Sequence, residues 1–221
     1  AENAGSSLTL TATSSIVSGS DITVTLSTSG TATEGTDYGS LSDITISAGA
    51  TTGTTTFTPT DDSMFETSTD ETATVAIDTV SGGSATENGT QSVTITINEN
   101  ESAPTVTLAA SATSIAENAG SSITITASLS GTTSQDVTVS LSSSSTATEG
   151  TDYGTVSDIT ITSGSTSGTA TFTPTDDSLY DATSNETAIL SISGVSGGGA
   201  TESGDQKVTI TITDNESAPT V

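Results

Sequence analysis

The sequence aligns with itself at an offset of 115 residues. Positions 1–106 fall on 116–221 without a gap, and 68 of those 106 pairs are identical. TATEGTDYG at 31–39 recurs at 146–154, and FTPTDDS at 57–63 recurs at 172–178. A unit of this length is a domain in its own right, whereas solenoid repeats of ~20 to 50 residues need neighbours to complete a core. The expected boundaries are 1–101 and 102–216, with 217–221 as the start of a further repeat or a tail.

Within each unit, apolar residues alternate with Thr or Ser: Leu8 and Leu10, Ile22, Val24 and Leu26, Ile44 and Ile46, Val75 and Ile77, then Val93, Ile95 and Ile97. A period of two with β-branched residues reads as half-buried antiparallel strands. Gly, Ser and Asn break the runs at the spacing of a sandwich. The pattern predicts strands B to G at 6–12, 21–26, 42–46, 54–59, 72–77 and 92–97, and a strand A only in the second copy, at 105–110. The expected fold is therefore all-β: two tandem immunoglobulin-like antiparallel sandwiches, the first lacking strand A. High charge and few aromatics also typify disordered chains, but such chains lack this regular alternation.

The chain carries 27 acids against one base, Lys207, and has neither Cys nor His. Thiolate and imidazole metal sites, His-dependent triads and disulfides are thereby excluded. A net charge of -26 repels nucleic acid and anionic lipid, and no apolar run approaches the ~20 residues of a membrane span. Small cations are the partners this charge favours.

Strand parity places the acids. Antiparallel strands reverse in turn, so the A–B, C–D and E–F connections and the exit of G share one pole. That pole collects Glu2, Glu34, Asp37, Asp61, Asp62, Glu66, Asp70, Glu71, Glu99 and Glu101 in the first copy. In the second it collects Glu117, Glu149, Asp152, Asp176, Asp177, Asp181, Glu186, Asp214 and Glu216. Only Asp21, Asp78 and Glu87 fall near the opposite pole of the first copy. So many carboxylates within ~10 Å of one another would repel by several kcal/mol without counter-charge. Any one acid could simply serve a turn in water, but loops converging on one end ask for a hard cation. Ca²⁺ accepts 6 to 8 oxygens in loose geometry, where Mg²⁺ wants a stricter octahedron. No EF-hand loop and no GGxGxD repeat is present, so the site has to be assembled from distant segments.

AENAGSS, TATEGTDY, PTDDS with a following acidic stretch into ETA, and VTITI with an acidic exit together resemble the Calx-beta family, in both copies and over nearly the whole unit. That family includes calcium-binding modules of sodium/calcium exchangers and long arrays in bacterial surface proteins. The resemblance implies a seven-stranded sandwich with calcium at one pole. It implies as ligands Glu2, Asp37, Asp61, Asp62, Glu66, Glu71, Glu99 and Glu101, and in the second copy Glu117, Asp152, Asp176, Asp177, Asp181, Glu186, Asp214 and Glu216. The terminal cluster reads NENE and TDNE where the family often has successive aspartates.

The function expected is that of a calcium-stiffened structural extender in a repetitive, secreted or surface-anchored bacterial protein of adhesin type. Its partners would be calcium ions and neighbouring repeats, with no nucleic acid and no direct membrane insertion. The alternative is a binding module that uses Ca²⁺ to bridge a polysaccharide or another copy of itself. A two-carboxylate glycosidase would need an aromatic-lined cleft, and the chain has only six Phe and Tyr in all. A regulatory calcium sensor is a further reading, without any recognisable signalling partner in the chain.

Overall fold

Alternation of Thr with Ile, Val and Leu produces strands throughout the computed structural model, which describes residues 1–66, 70–180 and 185–221. In chain order the first strands are β1 (Leu8–Thr13), β2 (Ile22–Gly30), β3 (Ile44–Ile46), β4 (Thr52–Phe57), β5 (Met64–Phe65), β6 (Glu71–Ser81) and β7 (Ser92–Ile97). They are followed by β8 (Thr105–Ala110), β9 (Ser114–Ala116), β10 (Ile123–Leu129), β11 (Thr132–Thr133), β12 (Val137–Ser145) and β13 (Ile159–Ile161). The series ends with β14 (Ser167–Phe172), β15 (Asn185–Ser196), β16 (Thr201–Glu202) and β17 (Lys207–Thr213). The chain divides into two units, Ala1–Asp62 with Ser68–Asn100, and Ser63–Thr67 with Glu101–Val221. No helix among the described residues is long and apolar enough to cross a membrane.

In the first unit β1 pairs with β4, and β3, β2, β6 and β7 form a second, antiparallel sheet. The inward set of β2, Ile22 and Val24, is 3% and 4% exposed, as the period of two requires. Tyr38 stacks on Phe57 with ring centroids 4.6 Å apart, a geometry that contributes beyond the buried area. The core is split into two patches, one around Tyr38 and Phe57 and one around Ile22, Val24, Ile44 and Ile46.

The second unit is fuller. Its sheets run β14-β10-β8-β16 and β13-β12-β15-β17-β9, and it also contains the pair β11-β5. One continuous core runs from Val106 to Ile212, with Tyr153 stacked on Phe172, again at 4.6 Å. The reason for the difference is β8. It pairs with β10 and brings Val106 and Leu108 inward, so Ile125 and Ala127, opposite Ala110 and Leu108, are wholly buried, whereas the equivalent Leu10 and Ala12 on β1 are only half-buried.

The all-β expectation is met, with one modification to the pairing. Among the described residues, three short strand pairs are parallel: β16 with β8, β17 with β9, and β11 with β5. The connection between strands A and B is thus not a plain loop, because β9 crosses over to join the second sheet. Strands C and F are also longer than the alternation suggested. The irregularity between Ser140 and Leu141 in β12 is capped by Asp158, whose carboxylate accepts the Ser140 hydroxyl and the Leu141 N–H, both at 3.0 Å. A bulge leaves such an N–H outside the ladder, and the carboxylate supplies its acceptor.

Candidate metal centre

In the second unit the site grows out of the parallel pairing of β9 and β17. Ala116 lies opposite Thr213, so the next residues outward, Glu117 and Asp214, emerge side by side. The Glu117 N–H donates to the Thr213 carbonyl at 3.1 Å, and the Asn215 N–H donates to Glu117 Oε1 at 3.2 Å. Glu117 is only 8% exposed, a position in which an ionised carboxylate is costly without compensation. Glu216 completes the cluster: Glu117, Asp214 and Glu216 each offer a carboxylate oxygen within 4.8 Å of the others.

Two further loops close on this cluster. In the TEGTDY turn, Asp152 Oδ2 accepts the Thr148 N–H at 2.6 Å, and the Asp152 N–H donates to the Thr148 carbonyl at 2.9 Å. The neighbouring Tyr153, wholly buried, anchors the turn in the core. Asp177 turns the chain after Pro174 and accepts the Leu179 N–H at 2.6 Å. Asp152, Thr175, Asp177 and Glu186 of β15 line a hollow together with Glu117, Ile212 and Asp214.

The electrostatics are those of crowded carboxylates. Asp214 beside Glu216, by a shared hydrogen bond, raises the Glu216 carboxyl to about 7; desolvation and the nearby Glu117 push the same way. Glu216 Oε2 is shielded from solvent and no donor reaches it. The one base, Lys207, begins the strand that ends at Thr213, which puts it roughly 20 Å from the cluster at ~3.3 Å per residue. An all-oxygen, multiply anionic set with a shielded, donorless oxygen fits a hard divalent cation, and Ca²⁺ in particular. Glu117, Asp152, Asp177, Glu186, Asp214 and Glu216 would hold it.

Other expected residues fall differently. Asp176 lines a neighbouring hollow instead, with Glu117, Asn118 and Pro174. Asp181 lies outside the described residues. Glu149 accepts the Ser143 hydroxyl at 3.1 Å and is held toward β12. In the first unit, Glu2 and Glu99 bring carboxylate oxygens within 4.8 Å of each other, and so do Asp37 and Glu71. Glu2 is 7% exposed and its N–H donates to the Asn98 carbonyl at 3.2 Å. Asp37 closes its turn by accepting the Thr33 N–H at 2.5 Å. Asp61 and Asp62 are exposed there, while Glu66 and Glu101 are counted with the second unit. Sequence reasoning missed Thr175, and it took in Asn215 only as part of the TDNE cluster. The amide of Asn215 donates to Glu216 Oε1 at 2.7 Å, and its position between two acids was the available signal.

These features define a class of protein, a tandem of β-sandwich repeats with carboxylates gathered at the strand ends. The Calx-beta domain model matches residues 7–101 and again residues 99–216, and the chain belongs to the Calx-beta family. Similar solved structures include the apo-form Calx CBD1 domain, at 16% identity and a TM-score of 0.43, covering 52% of this chain and 100% of that one. The calcium binding domain CBD12 of CALX1.1 is 14% identical with a TM-score of 0.39, covering 96% of this chain and 94% of that one. The Yersinia pseudotuberculosis adhesin InvE is 14% identical with a TM-score of 0.35, covering 97% of this chain and 61% of that one. No curated protein matches the sequence.

Proposed function

We propose that this chain is a calcium-binding extender, a pair of modules from a repetitive extracellular protein of adhesin type. The observation that supports it best is the Glu117, Asp214 and Glu216 cluster, with Asp152, Asp177 and Glu186 lining the adjoining hollow. Bound Ca²⁺ would supply the charge that no neighbouring base provides. In the first unit, Glu99 lies two residues beyond the end of β7 and meets Glu2. A cation shared by these two would hold the departing segment against its own sandwich, which stiffens a chain of such modules. Closely similar tandem repeats, a Thr and Ser coat and few aromatics support a structural role over a recognition face. Surface or extracellular localisation is part of this reading, since calcium is abundant there.

Isothermal titration tests the proposal. The chain should take up Ca²⁺ at each unit and bind Mg²⁺ much more weakly. Absence of Ca²⁺ binding at millimolar concentration would overturn the reading. Small-angle scattering then separates stiffening from local stapling, because only stiffening changes the maximum dimension on chelation while the domains stay folded.

A further inference from the structure

Met64 and Phe65 lie in the first repeat by sequence, yet they pack as part of the second unit. As β5 they pair in parallel with Thr132 and Thr133. The Thr132 hydroxyl donates to the Ser63 carbonyl at 2.9 Å, and the Ser134 N–H donates to the Phe65 carbonyl at 3.1 Å. The Phe65 ring lies over Gly199, which has φ +59; a Cβ built there would come within 2.6 Å of Phe65 Cε1. Only glycine leaves room for the ring at that place. The same dipeptide recurs 115 residues later as Leu179 and Tyr180, and there it is 69% and 38% exposed. Leu for Met and Tyr for Phe keep size and shape, the kind of swap a packed seat tolerates.

The seat itself is not common to both repeats. The first repeat has Ser84 where the second has Gly199, in the same left-handed conformation with φ 55. Its Cβ occupies the space a ring would need. Val17 also replaces Thr132, removing the hydroxyl that reaches the Ser63 carbonyl. A seat for this dipeptide therefore requires a repeat of the second type.

We infer that Leu179 and Tyr180 form a docking strand whose partner is a second copy of this chain's second repeat, seated against its Thr132–Thr133 strand and Gly199. This is strand addition on a two-residue scale, with backbone pairing for register and one aromatic anchor for specificity. The contact goes beyond the calcium reading, since the seating of Phe65 described here uses no carboxylate.

The test extends the chain after Val221 with a copy of residues 107–221. Residues 216–221 repeat 101–106, so the natural link ESAPTV is reproduced. Hydroxyl-radical footprinting in chelator should show Tyr180 oxidation falling several-fold relative to the 221-residue chain. A Gly→Ser change in the appended copy at the place of Gly199 should restore reactivity, and Ser84 shows that the turn accepts serine. In the 221-residue chain, Gly199→Ser should raise Phe65 oxidation. Equal Tyr180 reactivity in both chains, or protection that survives the serine, would overturn the inference.

Discussion

Asp152 accepts the backbone N–H of Thr148 at 2.6 Å with Oδ2, and the same side chain lines the hollow shared with Glu117 and Asp214. One carboxylate thus closes a turn and contributes to an anionic pocket. The two roles separate on substitution. Asp152→Ala should destabilise the second unit by about 1–2 kcal/mol, the cost of a lost capping bond. Asp152→Asn keeps an acceptor for Thr148 and should fold with little loss. Its calcium affinity should still fall by at least about tenfold, the scale at which even outer-shell partners act. Denaturant melts and titration on the two variants check this.

Calcium should stabilise the fold, because an ion that binds only the native state adds RT ln(1 + [L]/Kd), about 2.7 kcal/mol at a hundredfold excess over Kd. Tm should rise with millimolar Ca²⁺ and much less with Mg²⁺. Coincident melts in Ca²⁺ and in EDTA would count against the site.

Glu216 sets a pH dependence. Its carboxyl is raised from 4.5 to about 7 in the fold, so between those values the native state holds a proton that the unfolded chain has released. By linkage, metal-free stability falls as pH rises through that window and levels off above it. Calcium needs the ionised form, so apparent affinity should climb over the same range. Glu216→Gln should flatten both slopes, read by melts and titrations from pH 4.5 to 8.

Asp177 and Glu202 should behave oppositely. Asp177 lines the hollow, while Glu202 Oε1 accepts the Gln206 N–H at 2.5 Å beside β16. Asp177→Asn should weaken Ca²⁺ binding, and Glu202→Gln should leave it unchanged. Equal losses from the two would remove the pocket's claim to the ion.

The two units should also differ in resilience. Ile123→Ala removes a side chain that is 2% exposed and should cost about 2–5 kcal/mol. Leu8→Ala, at the same position of the first repeat but 49% exposed, should cost less than about 1 kcal/mol. Hydrogen exchange resolves the two units separately and gives both values in one chain.

The sequence by itself determined the repeat and the strands, and strand parity assigned the acids to one end of each sandwich. Period-two patterning is local, and parity then follows from counting reversals. Tyr38 and Tyr153, beside the turn aspartates, were legible as core or anchoring residues for the same reason, since so Thr-rich a chain has few other groups large enough to fill a sandwich. Three other features were decided only in three dimensions. The β9–β17 pair joins residues 97 apart through a three-residue strand, too short to show a period, and it is this pair that sets Glu117 beside Asp214. Asp176 and Asp177 are adjacent acids that a single turn sends into different hollows, which no spacing rule foretells. Met64–Phe65 reads as loop, because two residues carry no pattern; its place was decided by an absent side chain, at Gly199, 134 positions beyond Phe65.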